Sequence, residues 1–389
     1  MGNSKGSSFR NFRINFKILT EHSSLEFLVL LFQDKRTNKK KYTIMSFILE
    51  NLVRNNIKKL VPYSSARDEF SEDAGVFLDA NENPFGEYNR YPDPYQKILK
   101  AEISKLKNIN SENIFLGNGS DEVIDVLIRI FAEPKEDKIL VFTPTYGMYE
   151  VSANINDVKV ISYPLNQDFQ IDYTSALEQI LKDENLKLVF ICSPNNPSGN
   201  LIAREAVLKI LETFKGIVVV DEAYEDFSKE ESWISEIENY PQLVVMQTFS
   251  KAWGLAGLRV GIAFAQKEIL NYMNKVKPPY NISIINQKEV YEALQKIDDF
   301  NTNLNEILEQ RTDLESELLQ FSFVKKIYPS DANFLLVEVE EADRLYQYLV
   351  DQKIIIRNRN KVVANCVRIT VGKTQENKKL LEALNQFKS

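Results

Sequence analysis

Between about residues 112 and 265 the chain alternates short apolar runs with helical patterns, and this alternation limits the possible folds more than any other feature. The runs are Lys138 to Phe142, Val158 to Tyr163, Lys187 to Cys192, Gly216 to Val220, Leu243 to Met246 and Gly261 to Ala265. Several are unbroken Val, Ile, Leu and Phe stretches, as expected for strands covered on both faces in a mainly parallel sheet. Ligands in such α/β sheets bind beyond the strand C-termini, so the residues that follow each run matter most. After Pro278-Pro279 the pattern changes to a long polar–apolar helix, about Asn286 to Leu319, and then short strands at Phe334 to Val339, Ile354 to Ile356 and Val367 to Val371. This reads as a smaller α+β domain, and 389 residues leave room for both.

Residues 1–44 differ from the rest. They hold nine Lys or Arg against Glu21, Glu26 and Asp34, about +6, leaving roughly −13 for the remainder of a chain whose net charge is −7. Their apolar core, Phe27 to Phe32, is too short to span a bilayer and no small-residue cleavage site follows it. We expect a poorly structured leader or a misassigned translation start, dispensable for activity. The expected division is then 45–90 as an N-terminal arm and part of the small domain, 91–285 as the large domain and 286–389 as the small C-terminal domain. The acidic balance offers no chain-wide surface for nucleic acid, and no membrane association is expected. Cys192 and Cys366 lie in apolar runs far apart, which suits reduced core thiols and a cytoplasmic location. The one histidine, His22, falls in the leader, which argues against Ser-His-Asp and Cys-His hydrolases and His-ligated zinc; no metal site is expected.

Polar groups of useful kinds follow the runs. Leu116-Gly117-Asn118-Gly119-Ser120-Asp121-Glu122 opens a helix whose free N–H groups suit a phosphate, although the two acids also serve as ordinary first-turn residues. Pro144-Thr145-Tyr146 offers an aromatic ring for a flat cofactor or a packed turn. Cys192-Ser193-Pro194-Asn195-Asn196-Pro197-Ser198-Gly199 is a turn that places Asn196 at a strand end. Val218-Val219-Val220-Asp221-Glu222-Ala223-Tyr224 puts a carboxylate directly after three valines, costly to bury unless it meets a cation; magnesium is the rival partner, weakened by the lack of a Gly-x-x-x-x-Gly-Lys-Ser/Thr loop. Lys251 lies in Thr248-Phe249-Ser250-Lys251-Ala252-Trp253-Gly254 between two apolar runs, where burial and a cation such as Arg259 would favour its neutral amine.

In this order the motifs resemble the fold-type I, pyridoxal-phosphate-dependent aminotransferases of class I/II, over nearly everything from Asn51 to the C-terminus. Within that group the chain is most similar to the histidinol-phosphate aminotransferase family. Leu78-Asp79-Ala80-Asn81-Glu82-Asn83-Pro84, Arg90-Tyr91-Pro92-Asp93-Pro94, Ile355-Ile356-Arg357 and Cys366-Val367-Arg368-Ile369-Thr370-Val371-Gly372 carry that similarity. The resemblance implies a mainly parallel, seven-stranded large domain and transamination of histidinol phosphate with glutamate and 2-oxoglutarate, ping-pong, in L-histidine biosynthesis. It implies pyridoxal 5'-phosphate (PLP) in Schiff-base linkage to Lys251, with Asp221 at the ring nitrogen, Tyr224 and Asn196 at the ring oxygen and Tyr146 on the ring face. Gly119, Ser120, Asp121, Ser250 and Arg259 would hold the cofactor phosphate, with Tyr91 reaching it from the second subunit of a homodimer. Arg368 would bind the glutamate carboxylate and Arg357 would help bind the substrate phosphate, while Tyr63 and Asn81 would sit in an arm closing the pocket. Arg359 and Lys361 leave a solvated basic face open as another account of Arg357. Trp253 departs from the pattern, where a smaller residue is expected.

The same features admit an aromatic amino-acid aminotransferase or a threonine-phosphate decarboxylase. A non-catalytic PLP-binding regulator is the alternative from another class; it would need a DNA-binding segment ahead of this fold, and the basic leader shows no two-helix recognition pattern.

Overall fold

A computed structural model of the chain describes residues 47–63 and 76–387. The leader expected over residues 1–44, with His22 and the Phe27 to Phe32 run, lies outside the described residues. Leu49–Ser389 forms one compact unit, and it carries all the sheet structure described below.

Its larger sheet contains β1 (Ile114–Asn118), β2 (Lys138–Thr143), β3 (Lys159–Pro164), β4 (Leu186–Cys192), β5 (Ile217–Asp221), β6 (Leu243–Thr248) and β7 (Val260–Ala265), in the order β1-β7-β6-β5-β4-β2-β3. Strands β2 to β6 run parallel, and β7 is antiparallel to both β6 and β1. Chain length explains the reversal. Only Phe249 to Arg259 separate β6 from β7, too little for the helical crossover that a parallel neighbour requires, so the chain turns back beside β6. The loop carrying Lys251 is this reversal, and it therefore lies at the C-terminal edge of the parallel strands.

The continuous apolar runs are explained by burial: Val218, Val219 and Val220 of β5 are each 0% exposed, with helices packed on the sheet. Each such side chain stabilises the fold by about 1.5–3 kcal/mol relative to an exposed one. Six strands correspond to the runs read from the sequence. The seventh, β1, carries only three apolar residues before Gly117 and is secured by pairing, with Gly117 opposite Gly261. A Cβ on Gly261 would strike the Gly119 and Ser120 backbone, so this glycine lets the turn after β1 close onto β7.

The second sheet is antiparallel, ordered β10-β11-β9-β8, from β8 (Val324–Ile327), β9 (Phe334–Val339), β10 (Arg357–Asn358) and β11 (Cys366–Thr370). Two expectations require correction. Ile354 to Ile356 is not a strand: pairing begins at Arg357, after the chain turns at Lys353 with φ 61°. Ile354 and Ile356 pack on the small core while Ile355 is 72% exposed, an alternation that mimics a strand without its ladder. The single helix Asn286 to Leu319 is two, Ile284–Leu294 and Ile297–Leu318, broken at Lys296 with ψ 48°. Asp298 and Asp299 open the second, where acidic groups complement the helix dipole. Among the described residues no helix is long and apolar enough to cross a membrane.

Candidate active site

The chemistry-bearing residues converge at the C-terminal edges of β4, β5 and β6. Lys251 follows the end of β6, and its Nζ lies 5.6 Å from the centre of the Tyr224 ring. The residue is exposed, yet enough protein surrounds its amine for burial to be the largest influence lowering its pKa. The Arg368 guanidinium comes next, ahead of Arg259, while Asp221 opposes the shift. Arg259 was the cation expected for this task; Arg368, read from the sequence only as a substrate group, contributes more.

Asp221 closes β5 and is 3% exposed. Its Oδ2 accepts a 2.5 Å hydrogen bond from the Tyr149 hydroxyl and its Oδ1 a 3.1 Å bond from the Ala223 amide. Burial pushes its pKa up to about 6, against the opposing pull of these donors. Tyr149 escaped the sequence reading. It lies in the helix Met148–Ile155, three residues after Tyr146 and edge-on to its ring at 5.6 Å, and nothing local reveals which tyrosine faces β5. Glu222 takes no part in a shared acidic pair. It accepts from Ser232 Oγ (2.6 Å), the Trp233 amide (2.7 Å) and Gln247 Nε2 (2.9 Å), with its pKa raised to about 7 by burial.

Asn196 is 5% exposed after β4, and its Nδ2 donates to the Tyr224 hydroxyl at 3.5 Å. Burial also raises the Tyr224 phenol pKa. Asn196 Oδ1 accepts from Arg368 Nη1 at 2.5 Å and from Arg359 Nη2 at 3.3 Å. The turn that presents Asn196 is held by Asn195, whose Nδ2 donates to the Pro144 carbonyl and to Ser198 Oγ.

A third group gathers at the helix Gly119–Phe131. Arg259 Nη2 pairs with Asp121 Oδ2 at 3.2 Å, and the Tyr146 hydroxyl donates to Asp121 Oδ1 at 3.0 Å. Gly119 has φ +74°, and a Cβ there would run into the Arg259 guanidinium. Its own N–H is taken by the Arg259 carbonyl at 2.8 Å, so Gly119 contributes space rather than a free donor. Ser250 Oγ accepts from Thr248 Oγ1 at 2.9 Å. Trp253 stacks on Phe300 with ring centres 4.0 Å apart and meets Phe249 edge-on, so the large ring joins the lysine loop to the helix Ile297–Leu318.

Other expected residues stand apart. Tyr63 is 68% exposed and Asn81 is exposed with φ 55°; no hydrogen bond among the described residues links either to Lys251 or Asp221. Tyr91 is 50% exposed and stacked on Tyr280 at 4.5 Å. Arg357 is exposed, directly across the ladder from Arg368. Arg359 is half-buried against Asn196 and so is not part of a solvated basic face. What points to it is its place two residues beyond Arg357, on the same side of an extended chain.

A mainly parallel sheet with a lysine on the β6–β7 reversal, opposite a buried carboxylate at the end of β5, defines a class. The chain belongs to the aminotransferase class I and II family, whose model matches residues 59–384. It is 50% identical over 350 residues to the histidinol-phosphate aminotransferase of Cytophaga hutchinsonii, covering 88% of this chain and 100% of that one. The solved histidinol-phosphate aminotransferase of Clostridium acetobutylicum is similar at TM-score 0.71 and 28% identity, over 77% of this chain and 90% of that one. That of Sinorhizobium meliloti, solved in complex with pyridoxal-5'-phosphate, shares the fold at TM-score 0.70 and 22% identity, over 79% and 89%.

Proposed function

We propose that this enzyme moves the amino group of histidinol phosphate to 2-oxoglutarate, a transamination of L-histidine biosynthesis, with PLP as cofactor. The observation that carries the reading is Asp221, a buried carboxylate that has only a hydroxyl and an amide as hydrogen-bond partners and forms no ion pair among the described residues. A protonated ring nitrogen is a fitting cation for it. The rest of the donor set suits the same group: a helix N-terminus, a glycine with no room for a side chain, and Arg259 for a phosphate; Asn196 and Tyr224 for a ring oxygen.

When bound, PLP supplies the electron sink that makes the substrate Cα–H acidic. Asp221 would keep the ring nitrogen protonated, and Tyr149 would keep Asp221 ionised. Lys251 Nζ would hold the cofactor and later take the proton from the substrate Cα, which needs the neutral amine that burial and Arg368 favour. Tyr146 would flank the ring. Gly119, Ser120, Asp121, Ser250 and Arg259 would surround the phosphate, with Tyr91 from a second copy in a cytoplasmic homodimer. Arg368 and Arg357 would receive the anionic ends of glutamate and histidinol phosphate, with Tyr63 and Asn81 in an arm over the pocket. We assign residues 91–285 to the large domain and 286–389 to the small one.

Single-turnover spectroscopy tests this. Histidinol phosphate alone should abolish the visible band of the PLP-loaded protein, and 2-oxoglutarate should restore it. Conversion by phenylalanine or threonine phosphate, with none by histidinol phosphate, would overturn the substrate assignment.

A further inference from the structure

Two side-chain nitrogens beside Asn196 are buried with no hydrogen-bond partner among the described residues: Nε of Arg368 and Nε of Arg359. Both guanidiniums donate to one neutral acceptor, Asn196 Oδ1, at 2.5 and 3.3 Å, and neither forms an ion pair among the described residues. Arg368 also lies 5.0 Å above the Phe334 ring, which fixes its plane. Two cations held together around an amide oxygen, each with unused donors, form a seat for an anion with more than one charge. Burial and the nearby Arg368 and Arg357 guanidiniums lower the Arg359 pKa to about 10, as expected where cations crowd without counter-charge.

We infer that Arg359 is a specificity-determining residue, adding a second guanidinium to the Arg368 seat so that it prefers a phosphate monoester dianion to a carboxylate. The inference rests on the proposed reading of the site, in which Arg368 receives the glutamate carboxylate, and adds that the same seat takes the phosphate of histidinol phosphate in turn. In histidinol phosphate the phosphoryl ester stands on the carbon that is the carboxyl carbon of an amino acid. Both anions therefore approach the same side of the amine-bearing carbon, and a fork of two guanidiniums matches three phosphate oxygens better than two carboxylate oxygens.

The test uses the full-length, PLP-loaded protein with Arg359→Gln and Arg359→Lys. In separate half-reactions, R359Q should raise KM for histidinol phosphate by about tenfold or more, with kcat and the glutamate KM changed less than about threefold. Calorimetric titration with inorganic phosphate, the cofactor's own phosphate site being filled, should show about tenfold weaker binding to R359Q and an intermediate loss in R359K. Equal losses for both substrates, or unchanged phosphate binding, would overturn the inference. So would a shifted pH dependence of the cofactor's visible band with phosphate binding intact, because Arg359 would then act only by positioning Asn196. If R359Q fails to fold, R359K carries the comparison. A wild-type protein inert to histidinol phosphate would refute the substrate assignment, while the phosphate titration would still decide the role of Arg359.

Discussion

The hydroxyl of Tyr149 donates a 2.5 Å hydrogen bond to Oδ2 of Asp221, and the two residues are 0% and 3% exposed. Tyr149 is also stacked on Phe190 of β4, ring centres 4.9 Å apart, so the donor is held in place by packing. Burial favours the protonated carboxyl, whereas this hydrogen bond favours the charged one.

Tyr149→Phe removes the donor to the ionised form, so the Asp221 pKa should rise. The acid limb of the kcat/KM profile should move up by about one unit, with roughly tenfold lower activity below it. A profile superimposable on that of the wild type would remove Tyr149 from the account.

Lys251→Ala should lower kcat by about a thousandfold or more while leaving the fold intact, because the residue is exposed on a loop and contributes little packing. Steady-state assay and circular dichroism together check this. Turnover close to the wild-type rate would end the assignment.

Gly119→Ala places a Cβ at φ +74° and against Arg259. The left-handed backbone alone costs about 1–2 kcal/mol, and the displaced guanidinium should weaken cofactor binding by about tenfold. Spectroscopic titration of the cofactor-free protein measures the loss, and its melting temperature should fall by only a few degrees.

Glu222 has its pKa raised from 4.5 to about 7, so between these values the folded protein holds a proton that the unfolded chain releases. Its contribution therefore lowers stability as pH rises through that window and is absent below the unfolded value. Glu222→Gln should flatten the pH dependence of the cofactor-free melting temperature between those limits, relative to wild type. Equal slopes in the two proteins would show that Glu222 titrates normally.

Most of the large sheet was legible in the sequence because strands covered on both faces need unbroken apolar residues, as β4, β5 and β6 have. β1 and β8 were not, since Gly117 and Lys325-Lys326 interrupt their apolar pattern, and it is ladder pairing together with the packing of Ile114, Phe115, Leu116, Val324 and Ile327 that secures them. The helix break at Lys296 left no proline or glycine to announce it. Asp221 and Lys251 stood out because a carboxylate and an amine beside buried strands need a chemical reason to be there.

By itself the sequence determined the class of sheet, the edge at which the chemistry gathers, and the residues bearing charge there, because burial and strand length are local constraints. Only the tertiary structure decided which groups meet. It brought Tyr149 to Asp221, set Arg368 ahead of Arg259 among the cations acting on Lys251, and turned Arg359 toward Asn196 while Arg357 stayed exposed. The physical reason is that a hydrogen bond depends on side-chain direction and on strands far apart in the chain, and neither is written in the spacing of residues.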